Sequence, residues 1–215
     1  MTNEREENSA LATLRKYFGY ESFRPGQAEL INAILEGRDV LGVMPTGSGK
    51  SVCYQIPSLL LHGITIVISP LISLMRDQVD GANEIGIPAA FINTTQTPDE
   101  QQQVFDAANA GKVKLLYVAP ERLETARFRA FATHADIALF AVDEAHCVSQ
   151  WGQDFRPSYL KIAEFVEQLP ARPVIGAFTA TATKEVRDDI EALLSLRDPV
   201  RLVTGFEIYG TAAER

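Results

Sequence analysis

Apolar positions fall along this chain in two alternating rhythms. Short runs that are apolar almost without interruption give way to longer stretches in which apolar residues recur every third or fourth position. The runs predict strands at Asp39–Met44 (DVLGVM), Ile64–Ile68, Ala89–Ile92, Lys114–Val118, Ile137–Val142, Val174–Thr179 and Val200–Val203. The stretches between them predict helices at Leu11–Phe18 and Pro25–Leu35, ended by Gly19 and Gly37, and at Lys50–Leu61. Further helices are predicted from Ser69-Pro70 to about Ile85 and at Pro98–Asn109, Glu124–Thr133, Tyr159–Gln168 and Lys184–Leu194.

Strands that are apolar along their whole length are buried on both faces, and strand–helix–strand alternation implies a mostly parallel sheet with helices on each side. The expected fold is therefore a three-layer α/β domain. In such sheets ligands bind beyond the carboxyl ends of the strands. Five segments stand at predicted strand ends: PTGSGKS, SPLISL, APERL, DEAH and TATAT.

Composition changes this picture little. A chain of 215 residues with 46% hydrophobic and 22% charged residues suits one large domain with an ordinary core. Two cysteines, Cys53 and Cys147, are too few for a disulfide scaffold or a zinc site and suit a reducing cytosol. No apolar run approaches the ~20 residues of a membrane span, so no membrane partner is expected. Charge matters more. With 20 Lys and Arg against 28 Asp and Glu the net charge is −8. A protein that held nucleic acid by bulk charge would be basic, so any such contact here has to be local.

The chemistry begins at Met44-Pro45-Thr46-Gly47-Ser48-Gly49-Lys50-Ser51, between a strand and a helix. Gly47 and Gly49 permit close backbone approach to phosphate, and the amides of the turn and helix start point at an anion. Thr46 and Ser48 complete the turn. Lys50 is placed for β- and γ-phosphates and the Ser51 hydroxyl for Mg²⁺. Met44 stands where the strict phosphate-loop pattern asks for glycine, but the inner glycines and Gly-Lys-Ser carry the geometry. Asp143 and Glu144 follow the strand IALFAV. A carboxylate there can hold the Mg²⁺ bound by Ser51, and Glu144 can orient and deprotonate an attacking water. ATP and Mg²⁺ are the expected cofactors.

These residues carry a resemblance. FGYESFRPGQ (18–27), MPTGSGKS, SPLISLMRDQ (69–78), YVAPERL (117–123), DEAHCVSQWGQDFRPSY (143–159) and FTATAT (178–183) are similar to the motifs of the first RecA-like domain of RecQ-family DNA helicases, bacterial ones in particular. The resemblance covers about Leu14 to Phe206. It implies a RecA-like domain over residues 1–206, in a cytoplasmic, nucleoid-associated, monomeric enzyme of DNA repair and recombination that moves 3′ to 5′ on single-stranded or partly duplex DNA. It implies that Tyr20 and Arg24 sandwich adenine and that Gln27 reads its edge. Trp151 and Phe155 would stack on bases of single-stranded DNA, with Arg156 contacting phosphate or relaying the signal. Read alone, Trp151 could fill the core, but a loop rich in Gln, Gly, Asp and Arg argues against deep burial. Gln153 stands where the family usually carries histidine. Ser69–Gln78 and Tyr117–Leu123 would face the DNA backbone through short hydroxyls and amides. Arg76 and Arg122 are open between DNA contacts and structural ion pairs. Thr179, Thr181 and His146 would couple ATP state to DNA. Cys53, Cys147, His62 and His134 read as structural.

Family members place ATP between two RecA-like domains. No second domain follows here, and residues 207–215 (EIYGTAAER) read as a divergent, frayed tail. The expectation is a motor half that alone binds nucleotide weakly, hydrolyses it very slowly and unwinds nothing. An RNA helicase of the DEAD-box type, or a non-catalytic nucleotide-binding adaptor, are the competing readings.

Overall fold

The computed structural model describes residues 2–204, side chains from residue 9 onward; the tail expected at 207–215 lies outside them. Seven strands, β1 (Val40–Val43), β2 (Ile64–Ile68), β3 (Ala89–Ile92), β4 (Leu115–Val118), β5 (Ile137–Val142), β6 (Val174–Thr179) and β7 (Val200–Val203), form one sheet in the order β3-β4-β2-β5-β6-β1-β7. Every neighbouring pair is parallel.

Among the described residues eight helices accompany them: α1 (Thr2–Phe18), α2 (Gln27–Leu35), α3 (Val52–Leu60), α4 (Ile72–Glu84), α5 (Pro98–Asn109), α6 (Ala126–His134), α7 (Lys161–Glu167) and α8 (Lys184–Leu193). Alternation along the strands splits the core. Leu41, Val43, Ile66, Ile68, Phe140 and Val142 face α5–α8, where Phe105 stacks on Phe131 and Phe128 packs at tilted angles against Phe105, Phe131 and Phe165. Val40, Met44, Val67, Tyr117 and Leu139 face α2–α4, and α1 packs outside α2 and α3 through Leu14, Ile31 and Ile56.

The strand predictions hold to within a residue or two at each end. The expectation of burial on both faces fails at the two edges: β3 and β7 are only partly buried, having a neighbour on one side alone. Helix starts were the weaker part. Residues 120–124, 145–148 and 157–160 form 3₁₀ turns, two of them opened by proline, which pushes α6 and α7 two residues past their predicted starts. Gly26 is left-handed (φ 83°), so α2 begins at Gln27 and not at Pro25. Thr97 and Glu100 bond each other's backbone N–H groups at the start of α5, with Pro98 at the first position.

Candidate active site

The sheet order decides what meets at the carboxyl edge. β5, β6 and β1 are consecutive neighbours, so the segments carrying Asp143, Thr179 and Lys50 emerge side by side, at strand spacings of ~4.8 Å. Met44 N–H donates to Thr179 O (2.9 Å) and Asp143 N–H to Ile68 O (2.9 Å), which fixes both loop starts to neighbouring strands. Tyr20, Arg24, Gln27, Gly47, Gly49, Lys50, Ser51, Asp143 and Glu144 all line one cleft of about 500 Å³, with Phe18, Ser22 and Val52. Lys50 and the acidic pair thus share one edge of the sheet. Thr46 and Ser48 belong to the loop but do not line the cleft.

The loop is held from the side by the segment preceding α2. Gln27, 3% exposed, donates its amide to Ser48 O (3.2 Å) and Gly49 O (3.0 Å) and accepts Arg24 N–H (2.9 Å). Arg24 donates to Gly47 O. A Cβ on Gly49 would lie 2.6 Å from the Gln27 amide nitrogen, and its φ of 84° is left-handed, so glycine is required there twice over. Both ends of the Gln27 amide are thus engaged by the protein, bracing the phosphate loop from the side of the cleft that Gln27 lines. Tyr20 is half-exposed, with the Arg24 guanidinium 6.0 Å from its ring centre. Lys50 donates to Met44 O (3.2 Å).

Asp143 and Glu144 sit close together but differ in environment. Burial, and then the neighbouring Glu144 charge, push the Asp143 carboxyl up from 3.8 to about 6. Among the described residues no ion pair reaches it. A buried carboxylate without a basic partner, beside the Ser51 hydroxyl in the same cleft, is a donor set that suits a hydrated Mg²⁺. Glu144 is left-handed (φ 48°), which turns its side chain into the cleft. The hydrogen bond from His146 holds its carboxyl below the usual range.

His146 Nδ1 lies 2.8 Å from Thr179 Oγ1 and 3.3 Å from Glu144 Oε2. The Thr179 hydroxyl donates to Thr181 O (3.2 Å), so it accepts from Nδ1, and Nδ1 carries a proton. The Cys147 sulfur 3.9 Å from Nε2, and then the Glu144 carboxylate, raise the imidazole to about 10. Thr181 takes part through its carbonyl. Tyr159, fully buried, donates to Asp143 O (3.0 Å) and steadies the strand end. Nothing in its spacing set it apart from the other core aromatics. Cys53 and Cys147 are both buried, and burial pushes the Cys53 thiol up to about 12.

The remaining candidates divide. Trp151 is 80% exposed and fills no core. It lines a second cavity of about 550 Å³ with His146, Thr181, Lys184 and Arg187. Phe155 is half-buried. Arg156 is engaged within the protein: it pairs with Asp154 (2.8 Å) and donates to Pro70 O (3.0 Å), tying its loop to the segment after β2. Ser69 is only 1% exposed, and Tyr117–Pro120 are likewise buried. Arg76 is exposed and Arg122 half-buried with an unpartnered Nε; neither makes an ion pair among the described residues.

One stability prediction arises here. The unfolded Asp143 carboxyl ionises near 3.8 and the folded one near about 6, so the folded chain keeps a proton that the unfolded chain releases. Stability therefore falls as pH rises through that window and stays lowered above it. The interval is worth about 3 kcal/mol. Asp143→Asn should raise the melting temperature of the ligand-free chain at neutral pH and leave it nearly unchanged at pH values below that window. An equal or lower melting temperature at neutral pH would contradict the assignment.

Comparison with known proteins agrees with this geometry. A family profile described as DEAD/DEAH box helicase matches residues 24–189. The chain is 51% identical, over 92% of its length, to an ATP-dependent DNA helicase RecQ of Bacillus subtilis, and covers 34% of that protein. It is 48% identical, over 94%, to an ATP-dependent DNA helicase RecQ of Haemophilus influenzae, covering 32% of it. The chain thus spans about a third of the length of these curated relatives. The crystal structure of a hypothetical ATP-dependent RNA helicase from Sulfolobus tokodaii superposes with a TM-score of 0.66 at 21% identity, over 91% of this chain and 57% of that one. That of the Hef helicase domain of Pyrococcus furiosus gives 0.67 at 17%, over 88% and 39%. These likenesses show the RecA-like fold.

Proposed function

Since the chain belongs to the DEAD/DEAH box helicase family, we propose that it is the ATP-binding motor half of an ATP-dependent DNA helicase, working with a second RecA-like domain on single-stranded or partly duplex DNA. The observation that carries this is the single cleft shared by Tyr20, Arg24, Lys50, Ser51, Asp143 and Glu144. The choice of DNA rests on the similarity to proteins named DNA helicases and on an exposed Trp151 a few residues beyond the acidic pair. A bacterial, cytoplasmic setting, a part in DNA repair and recombination, 3′-to-5′ movement and a monomeric state follow from that reading. Among the described residues no helix is long and apolar enough to cross a membrane.

The geometry supports one role for each residue. Tyr20 and Arg24 flank the mouth of the cleft, where a planar base can stack on the ring and under the guanidinium. Gln27 and Arg24 hold the loop carbonyls, leaving the loop amides for phosphate oxygens. Lys50 exchanges its bond to Met44 O for the terminal phosphates. Ser51 and Asp143 would hold Mg²⁺, which when bound neutralises charge on the transferring phosphoryl. Glu144, ionised and oriented by His146, takes the proton of the attacking water. His146 reports this state to Thr179 at the end of β6. Trp151 offers an indole face on which a base can stack without bulk positive charge.

The test is ATP turnover by the chain joined to a second RecA-like domain, with single-stranded DNA or RNA of the same sequence added. Stimulation by DNA and not by RNA is expected. Equal stimulation by RNA would favour an RNA helicase; no turnover with either would favour an adaptor.

A further inference from the structure

The turn running from Glu144 to Trp151 is pinned at two points, and both anchors belong to the same β6–α8 unit. At its near end His146 bonds Thr179 of β6. At its far end the Ser149 hydroxyl donates to Asp189 Oδ2 of α8 at 2.6 Å. Ser149 is wholly buried, and the same oxygen accepts the backbone N–H of Trp151 at 3.1 Å. One hydroxyl therefore fixes the tryptophan's backbone and ties it to a helix 40 residues further along the chain.

The winding around this hydroxyl is tight. Gly152 N–H donates to Ser149 O (3.0 Å), and a Cβ on Gly152 would fall 2.3 Å from His146 O. Arg156 N–H donates to Cys147 O (2.8 Å) and closes the loop from behind. The indole itself is 80% exposed. Trp151 is thus an exposed, apolar side chain on a backbone that is not free to wander. Its cavity has the loop as one wall and Thr183, Lys184 and Arg187 of the α8 start as the other, the two elements that the bond between Ser149 and Asp189 joins.

We propose that Ser149 and Asp189 are positioning residues: their bond makes Trp151 move with α8 and β6, so that a change at Glu144 and His146 arrives at the indole. Neither touches the nucleotide cleft. A serine–carboxylate hydrogen bond is charge-assisted and directional, which suits a mechanical link better than apolar contact would. With the bond cut, the turn keeps its near anchor on Thr179 and loses the far one. The nucleotide then still binds, but its arrival no longer reaches Trp151. The inference rests on the cleft binding ATP.

Trp151 is the only tryptophan, so emission under tryptophan-selective excitation reads this loop alone. The experiment compares the wild-type chain with Asp189→Ala, Asp189→Asn and Ser149→Ala. Each is titrated with Mg²⁺ and a non-hydrolysable ATP analogue, and binding is measured in parallel by calorimetry. In the wild type the analogue should shift the emission of Trp151. In Asp189→Ala and Ser149→Ala that shift should fall by about fivefold or more, acrylamide quenching should rise, and calorimetric affinity should stay at the wild-type value. Asp189→Asn keeps an acceptor for the Ser149 hydroxyl and should recover the response, which a role in bulk folding or net charge would not predict. Circular dichroism identifies any variant that fails to fold, and the other cutting variant then carries the comparison. A full response in either folded cutting variant would overturn the proposal, as would Asp189→Asn behaving like Asp189→Ala. Binding to the wild type without any emission change would also overturn it while leaving the reading of the cleft intact. No binding to the wild type would refute the reading of the cleft, and this proposal with it.

Discussion

Glu144→Gln should lower ATP turnover by about 10²–10⁴-fold, the usual worth of a positioned general base, while nucleotide affinity stays at the wild-type level. The replacement keeps the size and the hydrogen-bonding of the side chain and removes only its capacity to take a proton. Glutamine meets the left-handed backbone at Glu144 (φ 48°) with the same side-chain length and branching, so the amide should occupy the same place. Lys50→Ala is the contrast: removing a cation that faces the phosphates should weaken binding and turnover together. Glu144 is held below the usual carboxylate range by the hydrogen bond from His146, so the base is already ionised at neutral pH, and turnover should not rise further as pH is taken from neutral to mildly alkaline. The measurements are single-turnover hydrolysis and equilibrium binding of the same variant, in the two-domain form. A Glu144→Gln enzyme that hydrolyses ATP within about tenfold of wild type, below the range expected of a general base, would remove Glu144 from that role.

What could be read from the sequence was what lies together in it. The phosphate loop is contiguous, its glycines are adjacent to its lysine, and the strand before it is apolar, so Gly47 to Ser51 were identifiable from Thr46 onward. The acidic pair was legible for the same reason, as the end of a buried strand. Parallel pairing then brings the two to one rim, because β1 and β5 are separated only by β6. The unread part consists of bonds across long separations between common residue types. Ser149 with Asp189 and Asp39 with Arg172 are 40 and 133 positions apart, and neither pair has a spacing that marks it. Gln27 shows a different gap. Its motif was visible, but whether its amide faces a base or the loop depends on where the Ser48 and Gly49 carbonyls point, and that is decided by the left-handed turn at Gly47 and Gly49. The burial of Ser69 was not legible either, because a hydroxyl next to a strand end can sit above the rim or beneath it, and periodicity does not distinguish the two.

The largest stability effect is expected at the opposite end of the sheet, from Asp39→Ala. Asp39 immediately precedes β1 and is 2% exposed. Its carboxylate receives both Arg172 nitrogens (3.1 and 2.6 Å) and the backbone N–H groups of Ile175 (2.9 Å) and Arg197 (2.8 Å). Its own carbonyl accepts Val200 N–H (2.9 Å). One side chain thus joins the starts of β1 and β6 to the turn before β7, where Ser195 (φ 52°) and Asp198 (φ 41°) are left-handed and need external support. Removing the carboxylate leaves Arg172, itself largely buried, without a counter-charge, and leaves the buried Ile175 N–H and the partly buried Arg197 N–H without their acceptor. Breaking a buried pair from one side costs about 3–5 kcal/mol, which for a chain of this size is a fall of roughly 6–20 °C in melting temperature. Replacing both partners with apolar residues, as in Asp39→Leu with Arg172→Met, should recover part of the loss, because no charge is then left stranded. The backbone N–H groups of Ile175 and Arg197 would still lack their acceptor, so recovery should be incomplete. Nucleotide affinity, measured well below the lowered midpoint, should be unaffected by either variant, since Asp39 stands at the amino end of β1 and the phosphate loop at its carboxyl end. A single-site loss of less than about 1 kcal/mol, the scale of an exposed ion pair, would mean that water replaces the carboxylate and that this corner of the sheet is looser than its geometry implies.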